Sequence, residues 1–154
     1  MNGDGVLLET DAASGIATIT LNRPKALNAL DMAMADGLRA TTKHVAGDAT
    51  VRAVIIQGAG EHFMAGGDIK AFHETLDAPS AERRALLERL IGEVHEAVTS
   101  IRSMEKPVIA SVRGAVAGFG FSGSSLYSLI ARATSLALTR PSFASEASAA
   151  WAIQ

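Results

Sequence analysis

Three observations predict an α/β layered fold. Short runs of β-branched and alternating apolar residues take turns with longer runs of helical period. Two of the strand-like runs lead into glycine-rich turns. Only 5% of residues are aromatic, so the layers must pack through aliphatic side chains. With 154 residues, 48% of them hydrophobic, residues 1–154 are expected to form one domain with a sizeable core.

The elements follow in order. "VLLET" (Val6–Thr10) and "IATITL" (Ile16–Leu21) read as a strand pair with a turn at Ser14 and Gly15. Pro24, in "NRPKALNAL", breaks the second strand, and Asp31 is placed to cap a helix that runs to about His44, with Gly37 its weak point. "VRAVIIQG" (Val51–Gly58) is a buried strand. The loop "AGEHFMAGGD" follows, and Asp68 can cap a short helix, "IKAFHETL". Pro79 and Ser80 open the longest helix, Ala81 to Met104, with Leu86, Leu87, Leu90, Ile91, Val94, Val98 and Ile101 at helical spacing. "KPVIASVRG" is a last strand, ending in "GAVAGFGFSG". After Ser122 the chain becomes rich in Ser, Ala and Arg; helical spacing over Leu126–Leu138 stops at Pro141.

Composition narrows the function. The 14 basic and 16 acidic residues leave a net charge of −2, with no footprint for nucleic acid or an anionic membrane. The absence of cysteine excludes disulfides, thiolate metal sites and cysteine nucleophiles. No apolar run reaches the roughly 18 residues of a membrane span. The acidic N-terminus has no secretory pattern, so a cytoplasmic location is expected. His44, His62, His73 and His95 show no metal-ligand spacing, and most are expected as surface histidines. Arg83, Arg84 and Arg89 read as the wet face of the long helix.

Three chemistries compete for the glycine stretches. Gly118, Gly120 and Gly123 spell a dinucleotide fingerprint, but no acidic residue stands about 20 positions on to hold a ribose, and Glu146 is the only candidate in the tail. "GFSGS" (Gly120–Ser124) nearly makes a nucleophile elbow, yet Ser124 replaces the last glycine and no Asp or His follows. In the third reading, "HFMAGGDIKAF" (His62–Phe72) and "RGAVAGFG" (Arg113–Gly120) each offer a backbone N–H, and two such donors make an oxyanion hole that polarises a thioester carbonyl. On spacing alone, two plain tight strand-to-helix turns are the better reading.

"LNRPKALNAL", "FMAGGDIKAF" and "EKPVIASVRGAVAGFGFS" resemble, in order and spacing, three motifs of the crotonase superfamily, the enoyl-CoA hydratase/isomerase family. The resemblance covers residues 5–122 and implies a crotonase-like spiral of ββα units. It implies oxyanion N–H donors at Gly67 and Phe119. Coenzyme A contacts would come from Lys25, Ala26 and Leu27, and from Ala65, Gly66, Asp68, Ile69 and Lys70, with helix capping as the structural alternative for Asp68. Coenzyme A enters as part of the substrate thioester, so no metal or separate cofactor is implied. The implied partners are an acyl-CoA or enoyl-CoA and further copies of the chain, as a trimer or hexamer. The two catalytic glutamates of the family's hydratases correspond to Ser122 and Ser142, neither of which carries a carboxylate. Residues 123–154 read as an atypical tail without the family's C-terminal helical region. The alternative expectation is a catalytically incomplete remnant, truncated or frame-shifted, that binds coenzyme A or forms oligomers.

Overall fold

The computed structural model describes residues 5–117. Phe119, Ser122, Ser142 and the tail lie outside them.

β1 (Val6–Asp11) and β2 (Ile16–Leu21) form an antiparallel hairpin, with Val6 opposite Leu21 and Asp11 opposite Ile16. Gly15 takes φ 68° at the turn, where a side chain would be strained, and its N–H donates to the Asp11 carbonyl at 2.8 Å. The Asp11 carboxylate accepts from the Ala13 N–H and the Ser14 hydroxyl. These bonds draw its pKa below the ordinary aspartate value, the Ser14 hydroxyl most of all.

β3 (Ala53–Gly58) pairs parallel to β2, and β4 (Val108–Ser111) pairs parallel to β3, giving the order β1-β2-β3-β4. α1 (Met32–Gly47) crosses over between β2 and β3. α2 (Ile69–His73) and α3 (Ser80–Ser103) fill the second crossover. Alternate residues of β2 (Ala17, Ile19, Leu21) and β3 (Val54, Ile56) join Met34, Ala35, Leu38 and Val45 of α1 in one buried cluster. α3 lies along α1 and adds Leu90, Val94, Ala97 and Ile101. Arg39 of α1 pairs with Glu93 of α3 across that seam.

The structure moves some expected boundaries. β3 begins at Ala53 rather than Val51, because pairing with β2 starts only after the Gly15 turn. α1 runs on to Gly47: Val45 is fully buried, and the Lys106 ammonium closes the helix end by donating to the Val45 and Asp48 carbonyls. α2 stops at His73 rather than Leu76, where the Thr75 hydroxyl donates to the Phe72 carbonyl and the backbone tightens into short-range turns. In α3 no residue before Leu90 is buried, and Leu86, Leu87 and, beyond it, Ile91 are exposed. The helical spacing was right for a helix but overstated its covered face.

Candidate active site

The loops that leave β2, β3 and β4 meet at the carboxyl ends of these parallel strands, where open α/β sheets bind ligands. Asn28 ties the first two together. It is fully buried, and both it and Leu27 take the left-handed φ of 54°. Its side-chain oxygen accepts from the Arg23 N–H at 2.8 Å. Its amide nitrogen donates to the Ala59 carbonyl at 2.9 Å and the His62 carbonyl at 2.7 Å. Asn tolerates this backbone better than other side chains, and its two amide N–H bonds cross from one loop to the next.

The first glycine turn, Ala65–Asp68, lies beside Leu27–Leu30. The Ala65 N–H donates to the Leu27 carbonyl at 3.0 Å and the Asp68 N–H to the Leu30 carbonyl at 2.9 Å. The Leu30 N–H donates to the Gly66 carbonyl at 2.7 Å. Between these anchors, the N–H groups of Gly66 and Gly67 have no acceptor among the described residues. Gly66 is buried, whereas Gly67 is partly exposed. The Gly67 N–H shares a planar trans peptide with the Gly66 carbonyl, so the Leu30 bond on that carbonyl turns the N–H away from Leu30. Gly66 takes φ 95°, which favours glycine. At Gly67 a Cβ would stand 2.8 Å from the Phe72 ring.

Asp68 caps α2 through the Ala71 N–H, at 3.1 Å, and pairs with Arg23 at 2.8 Å. The Ala71 bond first, and the Arg23 guanidinium second, hold its pKa below the ordinary aspartate range. Asp68 is therefore an engaged carboxylate at neutral pH, and capping, the structural alternative, is what the geometry displays. Arg23 also reaches Asp31, the cap of α1, at 3.2 Å.

The second glycine turn runs beside the first. The Phe63 N–H donates to the Arg113 carbonyl at 2.7 Å, the Met64 N–H to the Ala115 carbonyl at 3.2 Å, and the Ala117 N–H to the Met64 carbonyl at 3.0 Å. The Ala115 N–H donates to Nδ1 of His62 at 3.1 Å. His44, His73 and His95 are exposed as expected, but His62 is half-buried and fixes this turn.

Of the residues singled out in the sequence, Lys25 and Ala26 form a 3-10 turn and Leu27 follows it; Ala65 meets Leu27 directly. Ile69 and Lys70 open α2, with Ile69 80% and Leu27 45% exposed. The two expected contact segments are thus neighbours, and both present apolar surface to solvent. The bridging roles of Arg23 and Asn28 were missed. Their only sequence signal was membership of "LNRPKALNAL". Among the described residues, no group of three His, Cys, Asp or Glu is placed to hold a metal ion, and no helix is long and apolar enough to cross a membrane.

The chain matches known proteins. The sequence model of the family described as Enoyl-CoA hydratase/isomerase matches residues 16–139, reaching past Ser122 into the tail expected to be atypical. A "probable enoyl-CoA hydratase" of Mycobacterium tuberculosis is 37% identical over 117 residues, covering 76% of this chain and 42% of the relative. The mitochondrial 3-hydroxyisobutyryl-CoA hydrolase of Bos taurus is 38% identical over 116 residues, covering 75% of this chain and 28% of the relative. The crystal structure of an enoyl-CoA hydratase/isomerase from Mycobacterium paratuberculosis superposes with a TM-score of 0.68 at 33% identity, covering 82% of this chain and 47% of that one. The chain spans less than half the length of each.

Proposed function

From the premise that this chain belongs to the enoyl-CoA hydratase/isomerase family and carries its crotonase fold, we propose that it binds an acyl-CoA thioester at the carboxyl ends of β2, β3 and β4. There it stabilises the thioester enolate with backbone N–H groups. The observation that carries this reading is the N–H of the partly exposed Gly67, aimed by the bond on its own peptide carbonyl and left without an acceptor among the described residues. Negative charge that develops on the thioester oxygen is held by such preorganised donors at no cost of reorganisation. Phe119 is the proposed second donor. Gly67 and Phe119 stand the same distance apart in sequence as Met64 and Val116, which pair across the two turns. Lys25 and Lys70, both exposed near the site, are the proposed contacts of the coenzyme A phosphates.

The relatives differ in what their names say they do, a hydratase and a hydrolase, and share the CoA thioester. That supports the thioester as ligand and leaves the outcome of the enolate to residues near it. A second reading, coenzyme A binding without turnover, is favoured by Ser122 and Ser142, because a hydroxyl cannot replace a carboxylate as proton donor or acceptor near neutral pH. Assays of crotonyl-CoA hydration and 3-enoyl-CoA isomerisation separate the two. Gly67→Pro, which removes the N–H, should lower kcat by about 10²–10³-fold if the chain turns substrate over. Turnover unchanged in that variant contradicts the oxyanion role. Under either reading an acyl-CoA should raise the melting temperature, since it binds only the folded chain, and NADH should not.

A further inference from the structure

We infer that Arg23 is a positioning residue for the oxyanion donor at Gly67, clamping the two backbone segments whose pairing aims that N–H. The inference rests on the oxyanion reading of the turn and deepens it. Leu30 and Gly67 face each other in a single parallel bridge made of only two hydrogen bonds, from the Leu30 N–H to the Gly66 carbonyl and from the Asp68 N–H to the Leu30 carbonyl. One such bridge is a weak hold on a turn that contains two glycines.

Arg23 grips both sides of it. On the Leu30 side, one guanidinium nitrogen donates to the Ala29 carbonyl at 2.5 Å, and the other lies 3.2 Å from the Asp31 carboxylate. On the Gly67 side, that second nitrogen lies 2.8 Å from the Asp68 carboxylate. Residues 29, 31 and 68, which flank the bridge, are thereby held by one planar group. Neither helix cap needs this. Asp31 already accepts from the Met34 N–H and Asp68 from the Ala71 N–H without help. What Arg23 adds is the link between them. The side chains of Arg23 and Asp68 are 23% and 14% exposed, so the pair is only partly open to solvent and salt. A guanidinium fork meets a carbonyl and two carboxylates at once, which the point charge of a lysine does not.

The test reads the polarisation of a bound thioester carbonyl. A conjugated thioester such as cinnamoyl-CoA absorbs at longer wavelength when donors at its carbonyl oxygen draw electron density along the chain. The full 154-residue chain, Arg23→Gln, Arg23→Lys and Asp68→Asn are titrated with cinnamoyl-CoA and with free coenzyme A, and folding is checked by circular dichroism. The wild-type chain should red-shift the bound chromophore. Arg23→Gln should keep its affinity for free coenzyme A and lose half or more of the shift, with Arg23→Lys in between. A folded Arg23→Gln that keeps the full shift overturns the inference. If Arg23→Gln does not fold, Asp68→Asn decides. It keeps its one oxygen for the Ala71 N–H and turns an amide NH₂, itself a donor, toward Arg23, so a loss of shift supports the clamp and a full shift overturns it. A wild-type chain that binds cinnamoyl-CoA with no red shift instead overturns the oxyanion reading beneath, and the inference with it.

Discussion

The two glycine turns at the site are neighbours built in different ways. The first, Ala65–Asp68, adds charge to its backbone bonds with Leu27 and Leu30: Arg23 grips Asp68, and Asp68 caps α2. The second, Arg113–Ala117, is held by backbone bonds to Phe63 and Met64 and by one imidazole nitrogen, Nδ1 of His62. A turn fixed by an ion pair responds to acid and salt. A turn fixed by a parallel backbone pairing responds mainly to steric change. The two turns thus rest on devices with different sensitivities, and variants should tell them apart.

The largest effect should come from Asn28→Ala, which removes the contrast by loosening both turns together. It leaves the Arg23 N–H and the Ala59 and His62 carbonyls short of a partner, at about 1–3 kcal/mol for each that stays buried. Denaturant unfolding should show most of a typical margin of ~5–15 kcal/mol gone. Stability close to wild type would mean that the loops are held some other way.

Gly114→Ala should strike the second turn alone. Gly114 takes φ 61°, and a Cβ there would collide with the Glu61 carbonyl and stand 2.5 Å from Nδ1 of His62. A strained backbone of this kind costs about 1–3 kcal/mol. Gly67→Ala in the first turn should cost less, roughly 1 kcal/mol, because its Cβ meets the edge of the Phe72 ring, which can give way. Equal costs would erase the steric difference between the turns.

Acid should act on the first turn. The folded-state pKa of Asp68 is depressed, by the Ala71 N–H and then by Arg23. Its stabilisation is therefore present above the unfolded aspartate value of about 3.9 and is lost as pH falls through the lower folded value. A stability–pH profile of Asp68→Asn should lose part of the slope seen for wild type below about pH 4. His62→Ala should do the least, removing one hydrogen bond worth about 0.5–1.5 kcal/mol, and should keep the Asp68 acid limb intact.

The same divide explains what the sequence disclosed. Asp31 and Asp68 were legible as caps because a cap bonds to a residue three places on. The Gly15 turn was legible for the same local reason, and the strands showed themselves by alternation. Arg23 and Asn28 were not legible as bridges, since Arg23 reaches Asp68 and Asn28 reaches Ala59 and His62, partners that no pattern along the chain relates. His62 looked like a surface histidine until β4 brought Ala115 to it. The exposed Leu86, Leu87 and Ile91 show the converse limit, because periodicity finds a helix but not how far its partner covers it. Gly67 itself was singled out only through resemblance to a family motif, as the direction of its N–H depends on what Leu30 does to the peptide before it.

The central claim is that the Gly67 N–H is the donor to the thioester oxygen. The most direct measurement replaces that one peptide N–H by an ester oxygen, with glycolate in place of Gly67, and records the isotope-edited infrared band of the carbonyl in bound crotonyl-CoA. The exchange keeps every side chain and the Arg23 clamp, and leaves the Gly66 carbonyl in place as a weaker, ester-type acceptor for the Leu30 N–H. The account predicts a lowered carbonyl frequency on the wild-type chain and a return toward the solution value on the ester variant, with free coenzyme A still bound. An identical band on both chains would contradict it.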